Sequence, residues 1–96
     1  MSSALASSEL NPRPHCFCVE AHAEPSVVPR VLEQFVKRGL MPTRLMSALE
    51  GPGHDSLVIE LQVLGLEDGV AENIARSLGQ LAYVERVLFT RAHRAL

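Results

Sequence analysis

The chain has 96 residues, of which 47% are hydrophobic and 21% are charged, and its formal net charge is -2. This length suffices for one compact domain with a modest core and leaves no room for a second. The slightly negative charge gives no electrostatic reason to expect nucleic acid or an anionic membrane as a partner.

The sequence also carries no sign of export or of membrane insertion. It contains no apolar run of about 20 residues, the length that spans a bilayer. Its first residues lack the basic segment, apolar core and cleavage site of a signal peptide. The two cysteines, Cys16 and Cys18, are one residue apart and do not resemble the disulfide framework of a secreted mini-protein. We therefore expect a soluble, cytoplasmic protein.

The chain begins with a segment that has no usable pattern and continues into a strand. Residues 1–14 mix Ser, Ala and Asn with two prolines, which predicts a flexible N-terminal tail. From residue 15 the sequence alternates, with Phe17, Val19 and Ala21 on one face and polar residues or cysteines on the other. This period of two predicts a half-buried first strand ending near His22.

A turn and an amphipathic helix are predicted next. Glu24 and Pro25 form the turn, and the Ser26 hydroxyl can cap the helix by accepting from N–H groups of its first turn. A stripe of apolar side chains follows at helical spacing. It consists of Val28, Val31, Leu32, Phe35 and Val36. Gly39 can take the left-handed conformation that ends a helix.

The rest of the chain predicts a hairpin, a second helix and a final strand. Residues 43–50 and residues 56–64 alternate as strands, and the Gly- and Pro-rich residues 51–55 form the turn between them. Asp68 can cap the second helix. Its apolar stripe consists of Val70, Ile74, Leu78 and Leu81. Residues 83–91 predict the last strand.

The predicted order is therefore βαββαβ. It closes most simply into an α+β ferredoxin-like sandwich, a four-stranded antiparallel sheet with both helices on one face. We assign this domain to residues 15–91 and a short C-terminal tail to residues 92–96.

The second face of such a sheet is left uncovered by its helices. Here that face carries Met46, Ala48, Val58 and Cys18 among polar neighbours. Apolar side chains on an open face predict burial by a partner, and the sheet edges offer further pairing surfaces. The alternative is that these are scattered apolar surface residues of the ordinary kind.

Distance limits the chemistry that the first strand could perform. Cys16, Cys18, Glu20 and His22 share one strand face, but the ends of this set lie about 20 Å apart, too far for one metal ion. Only the two cysteines could share a metal, with ligands from elsewhere. His22 lies about 13 Å from Cys18 along the strand, which excludes a catalytic dyad. We expect no metal, no cofactor and no catalytic residue.

RNA-recognition modules have the same order of elements and are the main alternative to a regulatory domain. They stack bases on aromatic side chains of the two central strands. The first and third strands here offer only Phe17, which lies on the predicted core face. The residues therefore give no support to an RNA-binding function.

The turn, the first helix and the strands around them resemble the ACT domain, a small regulatory module, over His15 to Arg91. The resemblance is greatest to the single-domain small regulatory subunit of acetolactate synthase. The hairpin and the apolar third strand fit that family, and further matching features are a proline turn, a helix with an Arg-Val-Leu sequence and an Arg-Gly ending, the strand after this helix, and the last strand. In this chain they are Pro25, Arg30-Val31-Leu32, Arg38-Gly39, Leu45 to Leu49, and Val84-Glu85-Arg86-Val87.

The chain departs from the amino-acid-sensing members of that family at three positions. Where they place two asparagines and a glycine, it has Ala23, Met41 and Ser26. The loss of both amides removes groups that would hold the charged ends of an amino acid. Helix N–H groups could still receive a carboxylate, and a nearby acid could receive an ammonium group. The candidate ligand-binding residues are Glu24, Ser26, Val27, Val28, Met41 and Thr43.

The resemblance implies a non-catalytic regulatory protein of amino-acid metabolism. Such a subunit forms a homodimer and binds and activates the large, thiamine-diphosphate-dependent catalytic subunit of acetolactate synthase, in branched-chain amino-acid biosynthesis. The alternative is a free-standing ACT-domain sensor that binds a small amino acid at a dimer interface. A third possibility is an interaction module with neither ligand nor enzyme partner.

Overall fold

The computed structural model describes residues 14–91. Its elements, in chain order, are β1 (His15–His22), α1 (Val27–Val36), β2 (Arg44–Glu50), β3 (Ser56–Val63), α2 (Asp68–Gly79) and β4 (Val84–Arg91). Residues 1–13 and 92–96, which hold almost all of the two predicted tails, lie outside the described residues.

The strands form one antiparallel sheet in the order β2-β3-β1-β4. Residue Phe17 on β1 lies between Leu61 on β3 and Phe89 on β4, which fixes the register of the central strands. Both helices contribute buried side chains to a core on one face of this sheet. The α+β ferredoxin-like class and the βαββαβ order are thus confirmed.

The core is centred on Phe17. Its ring meets the ring of Phe35 edge-on, with centroids 5.2 Å apart, and stacks on Phe89 at 5.2 Å. These geometries are the favourable arrangements for aromatic pairs. The predicted inward residues of the first and third strands are buried, as expected from their period of two. They are Phe17, Val19, Ala21, Leu57, Ile59, Leu61 and Val63.

The buried stripe of α1 differs from the predicted one. Val31 and Phe35 are buried as predicted, and Val27 and Gln34 are buried as well, whereas the side chain of Val36 is 63% exposed. The stripe therefore starts one residue earlier, at offsets 0, 4, 7 and 8 from Val27. On α2 the buried stripe instead starts one residue later than predicted.

On α2, the predicted stripe residue Val70 is exposed and its neighbour Ala71 is buried. Ile74 and Leu78 are buried as predicted, while Leu81 lies beyond the helix and is partly buried. The helix therefore presents Ala71, Ile74 and Leu78 to the sheet, at a spacing of three and four residues.

The helix termini correct two of the predicted caps. Ser26 has helical dihedral angles and its hydroxyl makes no capping hydrogen bond. Glu67, in extended conformation, precedes α2, so Asp68 lies inside the helix instead of capping it. The glycine stop is confirmed. Gly39 has φ 75°, and the N–H groups of Gly39 and Leu40 donate to the carbonyls of Val36 and Phe35, as in a Schellman motif.

The edge strand β2 is exposed along its whole length. Leu45 and Leu49 align with Leu61 and Leu57 of β3, which belong to the core, yet they are 42% and 54% exposed. The helices thus cover the inner face of the central strands and leave the inner face of β2 open.

Candidate ligand groove and binding surfaces

A groove of about 420 Å³ lies between the start of α1 and the inner face of β2. Its walls come from the loop after β1, from α1, from the hairpin turn and from β2 and β3. They are formed by Ala23, Glu24, Pro25, Val28, Ser47, Leu49, His54 and Leu57. The groove has the size of a small-molecule site, with mostly apolar walls and a few polar groups.

Local backbone hydrogen bonds hold this end of the domain together. The N–H of Ala23 donates to the carbonyl of Asp55 at 3.0 Å, which ties the loop after β1 to the hairpin turn. Within that turn, the N–H of His54 donates to the carbonyl of Gly51 at 3.1 Å, and His54 has φ 53°. This left-handed conformation is one that histidine adopts more readily than most residues, and it sets His54 at the groove.

Polar groups of both kinds lie at the start of α1, in or next to the residues that line the groove. Glu24 is exposed and supplies a carboxylate. Among the described residues, no backbone carbonyl accepts from the N–H groups of Ser26 and Val28, whereas the N–H of Val27 donates to Glu24. An N–H pair at a helix N-terminus suits an anion, and a carboxylate beside it suits a cation.

The structure brings only part of the predicted ligand site together. Glu24 and Val28 line the groove, and Ser26 is next to them in the chain, but the side chain of Val27 is buried in the core. Met41 and Thr43 precede β2, whereas the groove lies at its far end. Six residues of extended chain separate Thr43 from the groove residue Leu49, about 20 Å.

Thr43 is also already engaged within the chain. Its N–H and its hydroxyl both donate to the carbonyl of Gln62, at 2.8 Å and 3.2 Å. The predicted set is therefore not assembled within one copy of this protein. The sequence prediction missed Ser47, Leu49, His54 and Leu57, although the hairpin register, which sets Leu49 against Leu57, could have placed two of them here.

The first residue of β1 forms a buried polar cluster at the opposite end of the sheet. His15 is only 2% exposed, stacks on Phe89 at 5.7 Å, and its Nε2 lies 2.9 Å from Oδ1 of Asp68. Arg91 pairs with the same carboxylate. Burial, and then the charge of Arg91, lower the pKa of His15 below its ordinary value of 6.5. Its Nδ1 is buried and has no hydrogen-bond partner among residues 14–91.

The open face of the sheet carries the two thiols in a shallow cleft of about 290 Å³. Burial raises the pKa of the Cys18 thiol, and Glu60 and Glu20 raise it further. The nucleophilic thiolate form of Cys18 is therefore less populated at neutral pH than in an unperturbed cysteine. His22 pairs with Glu85 at 3.1 Å. Within residues 14–91 the structure contains no group of three or more potential metal ligands.

Solved structures of several proteins share this fold. The C-terminal domain of the MgtC protein from Mycobacterium tuberculosis has a TM-score of 0.69 and 15% identity, over 88% of this chain and 93% of that one. The ACT domain of the GTP pyrophosphokinase of Chlorobium tepidum has a TM-score of 0.68 and 6% identity, over 82% and 99%. An uncharacterised protein from Thermotoga maritima has a TM-score of 0.64 and 16% identity, over 84% and 98%.

These likenesses show that the chain has the ferredoxin-like fold of an ACT domain, and at such low identity they show the fold alone. No family model matches the chain. No curated protein matches it by sequence. Neither α1 nor α2, the helices of the described part, has the length and apolarity that crossing a bilayer requires.

Proposed function

We propose that this protein is a non-catalytic regulatory module that acts by binding other protein chains. The observation that carries the proposal is the amount of apolar surface left open on the sheet. On the open face, the side chains of Met46 and Leu88 are 47% and 44% exposed, beside the half-buried Cys16 and Cys18. Apolar patches of this kind mark interaction surfaces.

The proposed partner is the large, thiamine-diphosphate-dependent catalytic subunit of acetolactate synthase, which the sequence resemblance suggests. The protein acts on it as a homodimer and raises its activity, in the cytoplasm. The open sheet face is the surface offered to the large subunit, because it is wide and its Leu88 and Met46 have no covering element among residues 14–91. The raised pKa of Cys18 supports a binding role for this face over a catalytic one.

Co-expression with the acetolactate synthase large subunit of the same organism tests this proposal. We expect the two chains to co-purify and the activity of the large subunit to rise. The substitution Leu88→Gln should abolish co-purification, because it replaces an exposed apolar side chain of the open face with an amide. Val70→Gln is the matched control, since Val70 is an exposed apolar residue on α2, in the helix layer.

Two results would overturn the proposal. The first is a large subunit that neither co-purifies with this protein nor changes its activity. The second is equal loss of binding with Leu88→Gln and Val70→Gln, which would show that the open face is not the docking surface.

The groove supports a second function, the binding of a small amino acid. Glu24 matches an ammonium group, the N–H groups of Ser26 and Val28 match a carboxylate, and the walls around Leu49 and Leu57 are apolar. The volume of about 420 Å³ is ample for a single amino acid. In this function the protein is an ACT-domain sensor in which a second copy completes the site.

A thermal-shift titration with each of the twenty amino acids tests the sensor function. A ligand that binds the folded protein alone raises its melting temperature in a saturable way. We expect this rise for a small apolar amino acid, and we expect Glu24→Gln to abolish it. Glu33→Gln, at an exposed position on α1, should leave it intact. A flat response to all twenty amino acids would eliminate this function.

A further inference from the structure

The two thiols of this chain are neighbours on the open face of the sheet. Cys16 and Cys18 are both on β1, both half-buried, and both line the shallow cleft of about 290 Å³. The strand is regular at this point, because its pairing with β3 is unbroken and its register shift against β4 lies between Glu20 and Ala21. The two side chains therefore project from the same strand face, with their Cβ atoms about 6.6 Å apart.

This spacing opposes a disulfide bond between the two cysteines while the strand stays extended. A disulfide needs Cβ atoms about 3.5–4.5 Å apart, whereas a step of two residues along a strand separates them by about 6.6 Å. A metal ion between the two sulfurs makes the link longer. Two metal–sulfur bonds of about 2.3 Å each span about 4.6 Å, against about 2.05 Å for an S–S bond. The spacing therefore suits a shared ion better than a disulfide.

The number of available ligands selects the kind of ion. No group of three or more His, Cys, Asp or Glu side chains that could hold a metal occurs in the described part of the chain, residues 14–91. An ion that requires three or four protein ligands, as zinc does, therefore does not fit there. Thiolates are soft ligands that select Cu(I), and Cu(I) is stable with two thiolates in a linear arrangement. The site thus favours Cu(I).

Arg44 is placed to act as a counter-charge. Two thiolates and one Cu(I) ion together carry one net negative charge. Arg44 lines the same cleft and lies in the same row of the sheet as Cys16, two strands away, or about 10 Å between the backbones. Within the described residues its guanidinium takes part in no ion pair and contacts only the Met46 sulfur, at 3.3 Å. It can therefore offset part of the negative charge that the thiolates and the nearby Glu60 bring to the cleft.

We infer that Cys16 and Cys18 bind one Cu(I) ion through two thiolate bonds on the open face of the sheet, with Arg44 as the neighbouring cation. Binding displaces one proton from each thiol to solvent, and the copper remains Cu(I), so no electron is transferred. Because the pKa of the Cys18 thiol is raised, the ion must displace a proton there, which favours a strongly thiophilic ion over a harder one. The inference does not rest on the proposed function.

Anaerobic titration of the reduced full chain with Cu(I), in competition with the chromophoric chelator bicinchoninate, tests the inference. We expect one ion per chain by native mass spectrometry and two sulfur ligands by X-ray absorption spectroscopy. Cys16→Ser and Cys18→Ser should each lower the affinity by more than about 100-fold, because each removes one of the two bonds to the ion, a larger loss than that of an outer-shell group. Arg44→Gln, which removes such an outer group, should lower it by about tenfold.

Two matched variants separate the spacing of the thiols from their number. Cys18→Ser/Glu20→Cys keeps two thiols on the same strand face but sets them about 13 Å apart, too far for one ion. It should bind Cu(I) as weakly as the single serine variants. Cys16→Ser/Glu20→Cys restores the step of two residues, at positions 18 and 20, and should recover the affinity to within about tenfold of the wild type. Circular dichroism verifies that each variant is folded.

Four results would overturn the inference. The first is a wild-type chain that takes up no Cu(I) in competition with the chelator. The second is equally tight binding by the separated thiols, which would make the binding a property of any two cysteines. The third is no recovery when the thiols are again two residues apart. The fourth is one ion for every two chains. Because all of these measurements use the isolated protein, a failure of co-purification with the large subunit leaves them unaffected.

Discussion

The central strands β1 and β3 and the edge strand β2 belong to one sheet, but their inner faces are buried to different degrees. Along β3, the inner residues Leu57 and Leu61 are buried, whereas their neighbours Leu49 and Leu45 on β2 are about half exposed. The same residue type, on the same face and in the same row, is thus core on one strand and surface on the next. The difference follows from the helices, which cover the inner face of β3 and leave the inner face of β2 open to solvent.

The largest expected contrast between the two regions is in stability. Phe17→Ala should lower the free energy of unfolding by about 3–5 kcal/mol, because it empties the centre of the core between Phe35 and Phe89. Leu45→Ala removes a side chain that solvent already reaches and should cost about 1 kcal/mol or less in the monomer. Urea denaturation of both variants at low protein concentration measures the difference.

Protein concentration sharpens this contrast. If the proposed homodimer buries the inner face of β2, the cost of Leu45→Ala grows as the wild-type protein is concentrated into dimers, while the cost of Phe17→Ala changes little. Equal losses of stability for the two variants in dilute solution would show that β2 is as well packed as the centre of the sheet. The distinction between the two regions would then be wrong.

The difference between the two regions also explains which predictions from the sequence were accurate. The alternation of Phe17, Val19 and Ala21 predicted their burial because a strand covered on one face imposes a strict period of two. The helical stripes were less accurate. Val27 and Val28 are equally apolar, so the pattern fixed the presence of α1 and left its rotation uncertain by one residue.

The exposure of β2 and the split of the ligand site could not be read from the pattern alone. Leu45 and Leu49 alternate just as core residues do, and whether a helix reaches over them depends on packing between distant segments. Thr43 and Glu24 were grouped by resemblance, whereas the sheet register places them at opposite ends of the domain. Positions along the chain predict faces well and predict distances between elements poorly.

His15 is a polar residue buried among the apolar residues on the inner face of β1. Alternation places it on the inner face with Phe17, and the structure buries it against Phe89, with Asp68 and Arg91 around its Nε2. The carboxylate of Asp68 would favour the imidazolium, but Arg91 pairs with that carboxylate and burial opposes a charge. Both effects that lower the pKa of His15 therefore prevail, and the ring is neutral in the folded protein near pH 7.

The smallest expected effect follows from this cluster and appears as a dependence of stability on pH. Because the pKa of His15 is lower in the folded than in the unfolded chain, where it is about 6.5, the unfolded chain binds the extra proton first. The free energy of unfolding should therefore fall as pH drops below 6.5, by at most about 1.4 kcal/mol per pH unit for this one group. Urea denaturation between pH 7.5 and 5.5, above the range where most carboxylates titrate, measures this dependence of stability on pH.

Two variants test whether His15 is its cause. His15→Phe keeps an aromatic ring on Phe89 and should abolish the contribution of this group to the slope. Arg91→Gln removes the charge that is the second cause of the lowered pKa and should reduce the slope in part. If the His15→Phe variant shows the same slope as the wild type, protonation of His15 is not the cause of the loss of stability below pH 6.5.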